Sequence, residues 1–222
     1  MDRVQSEKTA PHDRIASAMA TDILYDAVWR VSWEFNLLVS IFGDQAAVDE
    51  LNRRTDILFG SVRDMLEDSL ILRISKLIDP ALKGKFENAS FASAINSLSL
   101  PRSDARREKL TALLSELARD ASSIKKHRDK RVAHADRRVS EGDETLPDVF
   151  LRDLRTATRR VEELYREISI LRGHSFSFDA ISNEAERQAR MLFKVMRAGN
   201  DSLDAEREAR AARGPKKPSR SR

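Results

Sequence analysis

Apolar residues recur at steps of three and four along most of this 222-residue chain, and this spacing limits its fold more than any other feature. Such steps place apolar side chains on one face of an α-helix, whereas a strand requires alternation at every second residue. The most regular segment, residues 147–172, has apolar residues at Phe150, Leu154, Ala157, Val161, Leu164, Ile168 and Leu171. Alternating steps of four and three are typical of helices packed nearly parallel or antiparallel, so this helix must have a helical neighbour.

Similar patterns predict further helices, with glycine or proline near several of their ends. These helices span residues 14–42, 44–52, 55–78, 90–98, 104–135 and 178–198. Ser103 is the expected cap of the helix over 104–135, and Pro80 and Gly84 mark a loop over 79–89. With 7 glycines, 6 prolines and 34% charged residues, the composition suits long solvated helices and predicts an all-α fold.

The periodicity also predicts which side chains are buried. For the first long helix these are Ile15, Met19, Ile23, Ala27, Val31, Phe35, Leu38 and Phe42. For the helix over 55–78 they are Leu58, Val62, Met65, Leu66, Leu70, Ile74 and Leu77, and for the last helix Ile181, Ala185, Ala189, Leu192 and Met196. Trp29 and Trp33 flank the first of these faces, which favours core or dimer packing over stacking on bases.

The chain divides into a polar start (1–13), one helical domain (14–198) and a disordered basic tail (199–222). Five cations and no acids lie in residues 213–222, so the rest of the chain is close to neutral although the formal net charge is +4. Composition therefore gives no sign of a domain-wide field for nucleic acid. Contact with RNA or DNA must come from a local patch or from the tail.

Several classes of protein are disfavoured by what the sequence lacks. It has no cysteine, which excludes disulfides and thiolate metal sites and fits a reducing compartment, so we expect a cytoplasmic protein. The start has no apolar signal segment, and no run approaches the roughly 18 apolar residues that a membrane span needs. The four histidines form no metal-binding motif and no glycine-rich phosphate loop is present, so we expect neither metal nor cofactor.

The helix over 104–135 changes character along its length. Its apolar face is Leu110, Leu114, Leu117, Ala121 and Ile124, and the same rhythm then reaches Arg128, Arg131 and Ala135. On an ideal helix Arg128 lies only about 20° from Leu117, where a core residue is expected. Burying an isolated guanidinium is costly, so this end should face a wet cleft, an acidic partner or another subunit.

Residues 119–138 form the strongest basic patch within the predicted fold. The cations are Arg119, Lys125, Lys126, Arg128, Lys130, Arg131, Arg137 and Arg138, against Asp120, Asp129 and Asp136. One interpretation is structural, because cations at a helix C-terminus favour the macrodipole and histidines can satisfy backbone carbonyls. The other is a phosphate site containing a histidine that exchanges protons near neutrality, with phosphate contacts from Lys125, Lys126, His127, Lys130 and Arg131.

The segment Arg128-Asp129-Lys130-Arg131-Val132-Ala133-His134 resembles the signature of the HEPN superfamily, an arginine and a polar residue followed after a short spacer by a histidine. The segment from Ile71 to Pro80, with Glu87 to Ser90 after it, is similar to a helix end and loop of the U-type abortive-infection branch of that superfamily. The resemblance covers roughly residues 20–171.

This resemblance implies a HEPN-like helical bundle that commonly dimerises and, in active members, cleaves RNA without a metal. Arg128 would steady the phosphate charge, Asp129 would orient its neighbours and His134 would transfer a proton. The RNA 2′-hydroxyl would attack the adjacent phosphodiester and leave a 2′,3′-cyclic phosphate. On one ideal helix Arg128 and His134 point about 120° apart, so a shared site is expected across a dimer axis.

Some HEPN toxins carry a tyrosine two residues after the histidine, as part of control by a nucleotidyltransferase partner. Asp136 stands there in this chain, which disfavours that control and leaves another antitoxin protein open as a partner.

Two other functions remain open. One is a nonenzymatic HEPN-like module that binds RNA, a nucleotide or a protein, and the other is a structural assembly unit. The carboxylate pairs Glu67–Asp68 and Glu162–Glu163 are predicted to be solvated, with Glu162 and Arg166 forming a surface ion pair.

Overall fold

The computed structural model describes residues 11–83, 85–132 and 149–213, without the side chains of residues 11–22, 83, 86, 131 and 132. The elements in chain order are α1 (Pro11–Phe42), α2 (Gln45–Leu77), β1 (Leu82–Lys83), β2 (Phe86–Glu87), α3 (Phe91–Ser97), α4 (Ala105–Asp120), α5 (Ser122–His127), a π-helical turn (Arg128–Val132), α6 (Leu151–Leu171) and α7 (Asp179–Ala212). The all-α fold is confirmed, since the two short strands form only a small antiparallel hairpin.

Helix α1 ends as predicted before Gly43, where a Cβ would clash with the Val39 carbonyl oxygen. Its buried face is Leu24, Val28, Val31, Phe35, Leu38 and Ile41. The predicted burial of Ile23 is wrong, because the actual stripe passes through Leu24 and leaves Ile23 exposed. In this segment two apolar rows lie side by side, and only packing decides which of them faces the core.

Helix α2 consists of two helical parts that meet at a non-helical residue, Thr55, close to the break predicted between the helices over 44–52 and 55–78. Asp44 caps it by accepting a hydrogen bond from the Ala47 backbone N–H at 3.1 Å, and a kink at Thr55 joins its two parts. The predicted burial of Leu70, Ile74 and Leu77 is confirmed. The prediction is wrong for Leu58 and Met65, which are 58% and 70% exposed because none of the described elements covers the middle of α2 on that side.

The single helix predicted over 104–135 is broken in the structure. Asp104, rather than Ser103, caps α4 by accepting a hydrogen bond from the Arg106 backbone N–H at 2.8 Å. Ala121 leaves helical geometry with φ −94° and ψ 14°, α5 follows, and the turn that starts at Arg128 is π-helical. The ideal-helix angles that placed Arg128 over the apolar face therefore do not hold beyond Ala121.

Helix α6 packs against α1, α2, α3 and α4. Leu154, Ala157, Val161, Leu164 and Ile168 are buried as predicted. The helix begins at Leu151, where the Asp153 carboxylate accepts a hydrogen bond from the Phe150 backbone N–H. It ends two residues before Gly173, whose φ of +80° favours glycine. Pro147, predicted in its first turn, lies outside the described residues.

Helix α7 extends to Ala212, so its predicted end at residue 198 is wrong, and a disordered tail cannot begin at residue 199. The extension is held against the start of α2. Asn200 donates a hydrogen bond to Glu50 at 2.6 Å, and Asp204 pairs with both Arg53 and Arg54. Residues 214–222 lie outside the described part of the chain.

Helix α1 packs against α2, α6 and α7, and α4 packs against α6. Their apolar faces share one main core, and the start of α2 and the middle of α7 close a smaller one around Leu51 and Ala189. Among the helices described, none is long and apolar enough to cross a membrane.

Candidate functional site

The basic segment is organised around Arg128, the first residue of the π-helical turn. Its Nε donates a hydrogen bond to Asp129 Oδ1 at 2.8 Å, and its Nη1 lies 3.3 and 3.2 Å from the two carboxylate oxygens of Asp79. Asp79 follows the end of α2, which brings its carboxylate to Arg128 across 49 residues of sequence. Arg128 was predicted to face a wet cleft, an acidic partner or another subunit, and the structure pairs it with an acidic residue of its own chain.

Burial and ion pairing shift the pKa of Arg128 in opposite directions. Its side chain is 14% exposed, and burial by itself lowers its pKa. The hydrogen bond to Asp129 and the charge of Asp79 outweigh burial and raise the pKa of Arg128 above its ordinary value. The guanidinium of Arg128 therefore stays charged near neutral pH.

The neighbouring cations differ in their surroundings. Lys125 Nζ lies 3.9 Å from Asp79 Oδ1, so Lys125 shares the carboxylate that holds Arg128. Lys126 is exposed, and Lys130 is half-buried. Arg131 is described only by its backbone. Lys126 is thus the cation of this group that is most open to an incoming phosphate among the described side chains.

His127, the last residue of α5, points away from solvent. It is 8% exposed and lines a cavity of about 50 Å³ with Asp64, Glu67 and Asp68 of α2. Glu67 and Asp68, predicted to lie on a solvated helix face, are half-buried beside this histidine. A cavity of this size is far below that of a ligand pocket, which argues against direct contact between His127 and a phosphate.

The predicted proton-transfer residue, His134, lies outside the described residues, together with the rest of 133–148. The catalytic role of His134 and its approach to Arg128 therefore stay predictions. Asp129 lies within the described residues, and its ion pair with Arg128 fits the predicted role of orienting a neighbour.

Sequence reasoning assigned no role to Asp79. The residue stands at the end of the Ile71–Pro80 segment that carried part of the family resemblance, and this was the available signal. Its contact with Arg128 could not be read from helical periodicity, which relates only residues within one helix.

A second charged group, on α6, was also misjudged. Glu162 was predicted to be solvated and paired with Arg166, but it accepts a hydrogen bond from the Ser32 hydroxyl of α1 at 2.6 Å. Burial raises the pKa of Glu162, and neither this hydrogen bond nor the charge of Arg166 offsets the effect. Its neighbour Glu163 instead pairs with Arg160 at 3.0 Å at the surface.

Comparison with known proteins places the chain in a family. The family model described as HEPN_AbiU2, AbiU2, matches residues 10–192, from the start of α1 to the middle of α7. No curated protein and no solved structure gives a match. The match covers most of the chain, so this protein belongs to the AbiU2 family of HEPN proteins.

Proposed function

We propose that this member of the AbiU2 family is a metal-independent endoribonuclease of toxin or antiviral-defence type. The observation that carries the proposal is the pairing of Arg128 with Asp79 and Asp129, which fixes a charged guanidinium at the first position of the HEPN signature. A held arginine suits phosphate chemistry, because its planar donors match phosphate oxygens and its charge does not depend on pH.

In the proposed reaction the RNA 2′-oxygen attacks the adjacent phosphorus and the bond from phosphorus to the 5′-oxygen breaks. The net proton movement is from the 2′-hydroxyl to the leaving 5′-oxygen, and His134 serves that transfer. Arg128 stabilises the charge that develops on the phosphorane oxygens. Asp129 keeps the guanidinium oriented, and the products are a 2′,3′-cyclic phosphate and a 5′-hydroxyl.

We also propose a homodimer in which the arginine of one subunit and the histidine of the other complete a shared site. The exposed apolar residues of α2 support this proposal. Ile57, Leu58 and Met65 are 82%, 58% and 70% exposed, although the periodicity of α2 predicts a buried face that includes Leu58 and Met65. An apolar face that the described residues leave exposed marks an interaction surface, and a second copy of the chain would cover it.

The alternative is a nonenzymatic module that binds RNA, a nucleotide or an acidic protein surface. The same contacts provide its supporting observation, because two carboxylates already neutralise Arg128 and reduce its attraction for a phosphate. In this alternative the exposed Lys126 and the basic residues around it make salt-dependent contacts without cleavage.

RNA cleavage by the purified protein, free of any antitoxin and in the presence of EDTA, separates the two functions. We expect Arg128→Ala and His134→Ala each to reduce cleavage by at least about 100-fold with folding unchanged. His127→Ala is the matched control on the same segment and should retain most activity. Binding of RNA with no cleavage by the wild-type protein would favour the alternative, and full activity of His134→Ala would refute the catalytic assignment.

Mixing the two inactive variants tests the shared site. A heterodimer of Arg128→Ala and His134→Ala subunits contains one intact pair if the site forms across the axis, so part of the activity should return. Failure of the mixture to regain activity, with heterodimers present by native mass spectrometry, would place both residues in one subunit.

A further inference from the structure

A second cavity, of about 350 Å³, lies between α1, α6 and the start of α7 and shares no lining residue with the contacts of Arg128. Phe35, Val39 and Phe178 provide its apolar surface. Its polar groups come from Asn36, Thr158, Glu162, Asp179 and Ser182, besides two arginines. The volume is within the range of pockets for small ligands. The proposed function assigns no role to this cavity.

Thr158 is the least expected residue in the cavity wall. It is 2% exposed, and its Oγ1 has no hydrogen-bond partner within the described part of the chain. A buried hydroxyl without a partner is costly, so most are satisfied in folded proteins. The hydroxyl of Thr158 therefore has unused hydrogen-bonding capacity next to an open volume.

Glu162 lines the same cavity one helical turn beyond Thr158. Its carboxylate is partly withdrawn from water and is held by the Ser32 hydroxyl, which leaves its other oxygen available as an acceptor. Thr158 and Glu162 together offer hydrogen bonds to hydroxyl groups, which both donate and accept.

Arg155 and Arg159 supply positive charge at the cavity. They lie four residues apart on α6, both are exposed, and neither forms an ion pair with a described residue. Arg160, their neighbour on the same helix, contrasts with them, because it is engaged by Glu116, Asp120 and Glu163. The two guanidinium groups are thus available to an anion, and their planar donors suit a phosphate.

We propose that this cavity binds a small phosphomonoester that carries neighbouring hydroxyl groups, such as a sugar phosphate or a ribonucleoside monophosphate. Arg155 and Arg159 bind the phosphate, Glu162 and Thr158 bind the hydroxyls, and the carbon skeleton lies against Val39 and Phe178. Because Thr158 is buried in the cavity wall, a small ligand that enters the cavity suits it better than an RNA chain or a protein. This inference does not depend on RNA cleavage.

Isothermal titration calorimetry of the full chain, in a buffer without phosphate, tests the proposal with ribose 5-phosphate as the probe. We expect a dissociation constant below about 1 mM, and binding of inorganic phosphate or of ribose at least about 10-fold weaker, because each makes only half of the contacts. Arg155→Gln with Arg159→Gln should weaken ribose 5-phosphate at least about 10-fold, whereas the control Arg152→Gln should not. Absence of ribose 5-phosphate binding at about 10 mM would overturn the proposal.

Two further variants separate a ligand site from an imperfectly packed wall. Thr158→Val removes the hydroxyl at nearly constant shape, so the free protein should melt at the same or a higher temperature while ribose 5-phosphate binds about 10-fold more weakly. Thr158→Ser should restore binding. Unchanged affinity in Thr158→Val would overturn the role of Thr158. Loss of ribose 5-phosphate binding in Arg128→Ala would show that the phosphate binds beside Arg128 and would overturn the proposal.

Discussion

Arg128 and Glu162 are both charged groups drawn partly out of water, and the structure treats them differently. Arg128 receives two carboxylates, one from the next residue and one from the end of α2. Glu162 receives a hydrogen bond from the neutral hydroxyl of Ser32, and the charge of the exposed Arg166 does not offset its burial. Burial opposes the charged form of each group, but only in Arg128 is that penalty outweighed.

The cost of burying the charge of Arg128 is offset by its neighbours, whereas the cost of burying the charge of Glu162 is not. The two carboxylates around Arg128 offset the cost of its burial and hold its guanidinium in a fixed position. The environment of Glu162 retains an energetic cost that a proton or a hydrogen-bonding ligand can relieve. The first suits a catalytic group that must not move, and the second suits a binding pocket.

Removing the long-range partner of Arg128 should give the largest effect on stability. In Asp79→Asn the guanidinium keeps only Asp129, so we expect a loss of about 2 kcal/mol in the free energy of unfolding, measured by urea denaturation near pH 7. Asp129→Asn is the control and should cost less than about 1 kcal/mol, because Asp129 is 52% exposed against 22% for Asp79. Equal losses in the two variants would show that burial does not distinguish these carboxylates.

Removing the charge of Glu162 should have a smaller effect of opposite sign. A carboxyl whose pKa is raised in the folded state loses stability as pH rises from the unfolded value, here 4.5, through the folded value. Glu162→Gln should therefore stabilise the protein by at most about 1 kcal/mol at pH 7, and the gain should vanish below pH of about 4. Thermal melts across this range, without phosphate, measure the effect.

Ser32→Ala sharpens the same test. It removes the hydroxyl that holds the Glu162 carboxylate and should destabilise the protein at pH 7 by about 1 kcal/mol. A stabilising Ser32→Ala, or a Glu162→Gln gain that persists in acid, would contradict the assigned environment.

Deleting residues 213–222 should give the smallest effect. These residues carry five cations but no apolar side chains that could build a core, in contrast with the paired Arg128. We expect the free energy of unfolding to change by less than about 0.5 kcal/mol, while RNA association weakens in a salt-dependent way. Circular dichroism melts and filter binding at two salt concentrations measure both. A large loss of helicity would show that the tail contributes to the fold.

The fold could be predicted where one apolar row dominates a helix. Helix α6 has a single regular row, which is buried from Leu154 to Ile168 as predicted, whereas at its ends Phe150 is 49% exposed and Leu171 is half-buried. Prediction was wrong where the deciding force is long-range. No proline or glycine lies at Ala121, so the sequence does not predict the break there. The extension of α7 past Gly199 depends on contacts between Asp204 and two arginines about 150 residues earlier in the chain.

The candidate site shows the same division. Arg128 stands out in the sequence because it interrupts an apolar row, and Asp129 is its neighbour. The carboxylate of Asp79 and the hydroxyl of Ser32 reach their partners across 49 and 130 residues. Such contacts depend on how helices are arranged in space, which local periodicity does not specify.

The attachment of α7 to the start of α2 also has a consequence for how the chain folds. The pairs Glu50–Asn200 and Arg53–Asp204 each close a segment of about 150 residues. Closing a long segment is slow because the chain must lose conformational entropy before the contact forms. The helices between them can assemble on nearer contacts, so this attachment should form late. During synthesis the bundle is completed only when its last helix has been made, and a nascent chain truncated before residue 200 lacks the contacts that close it.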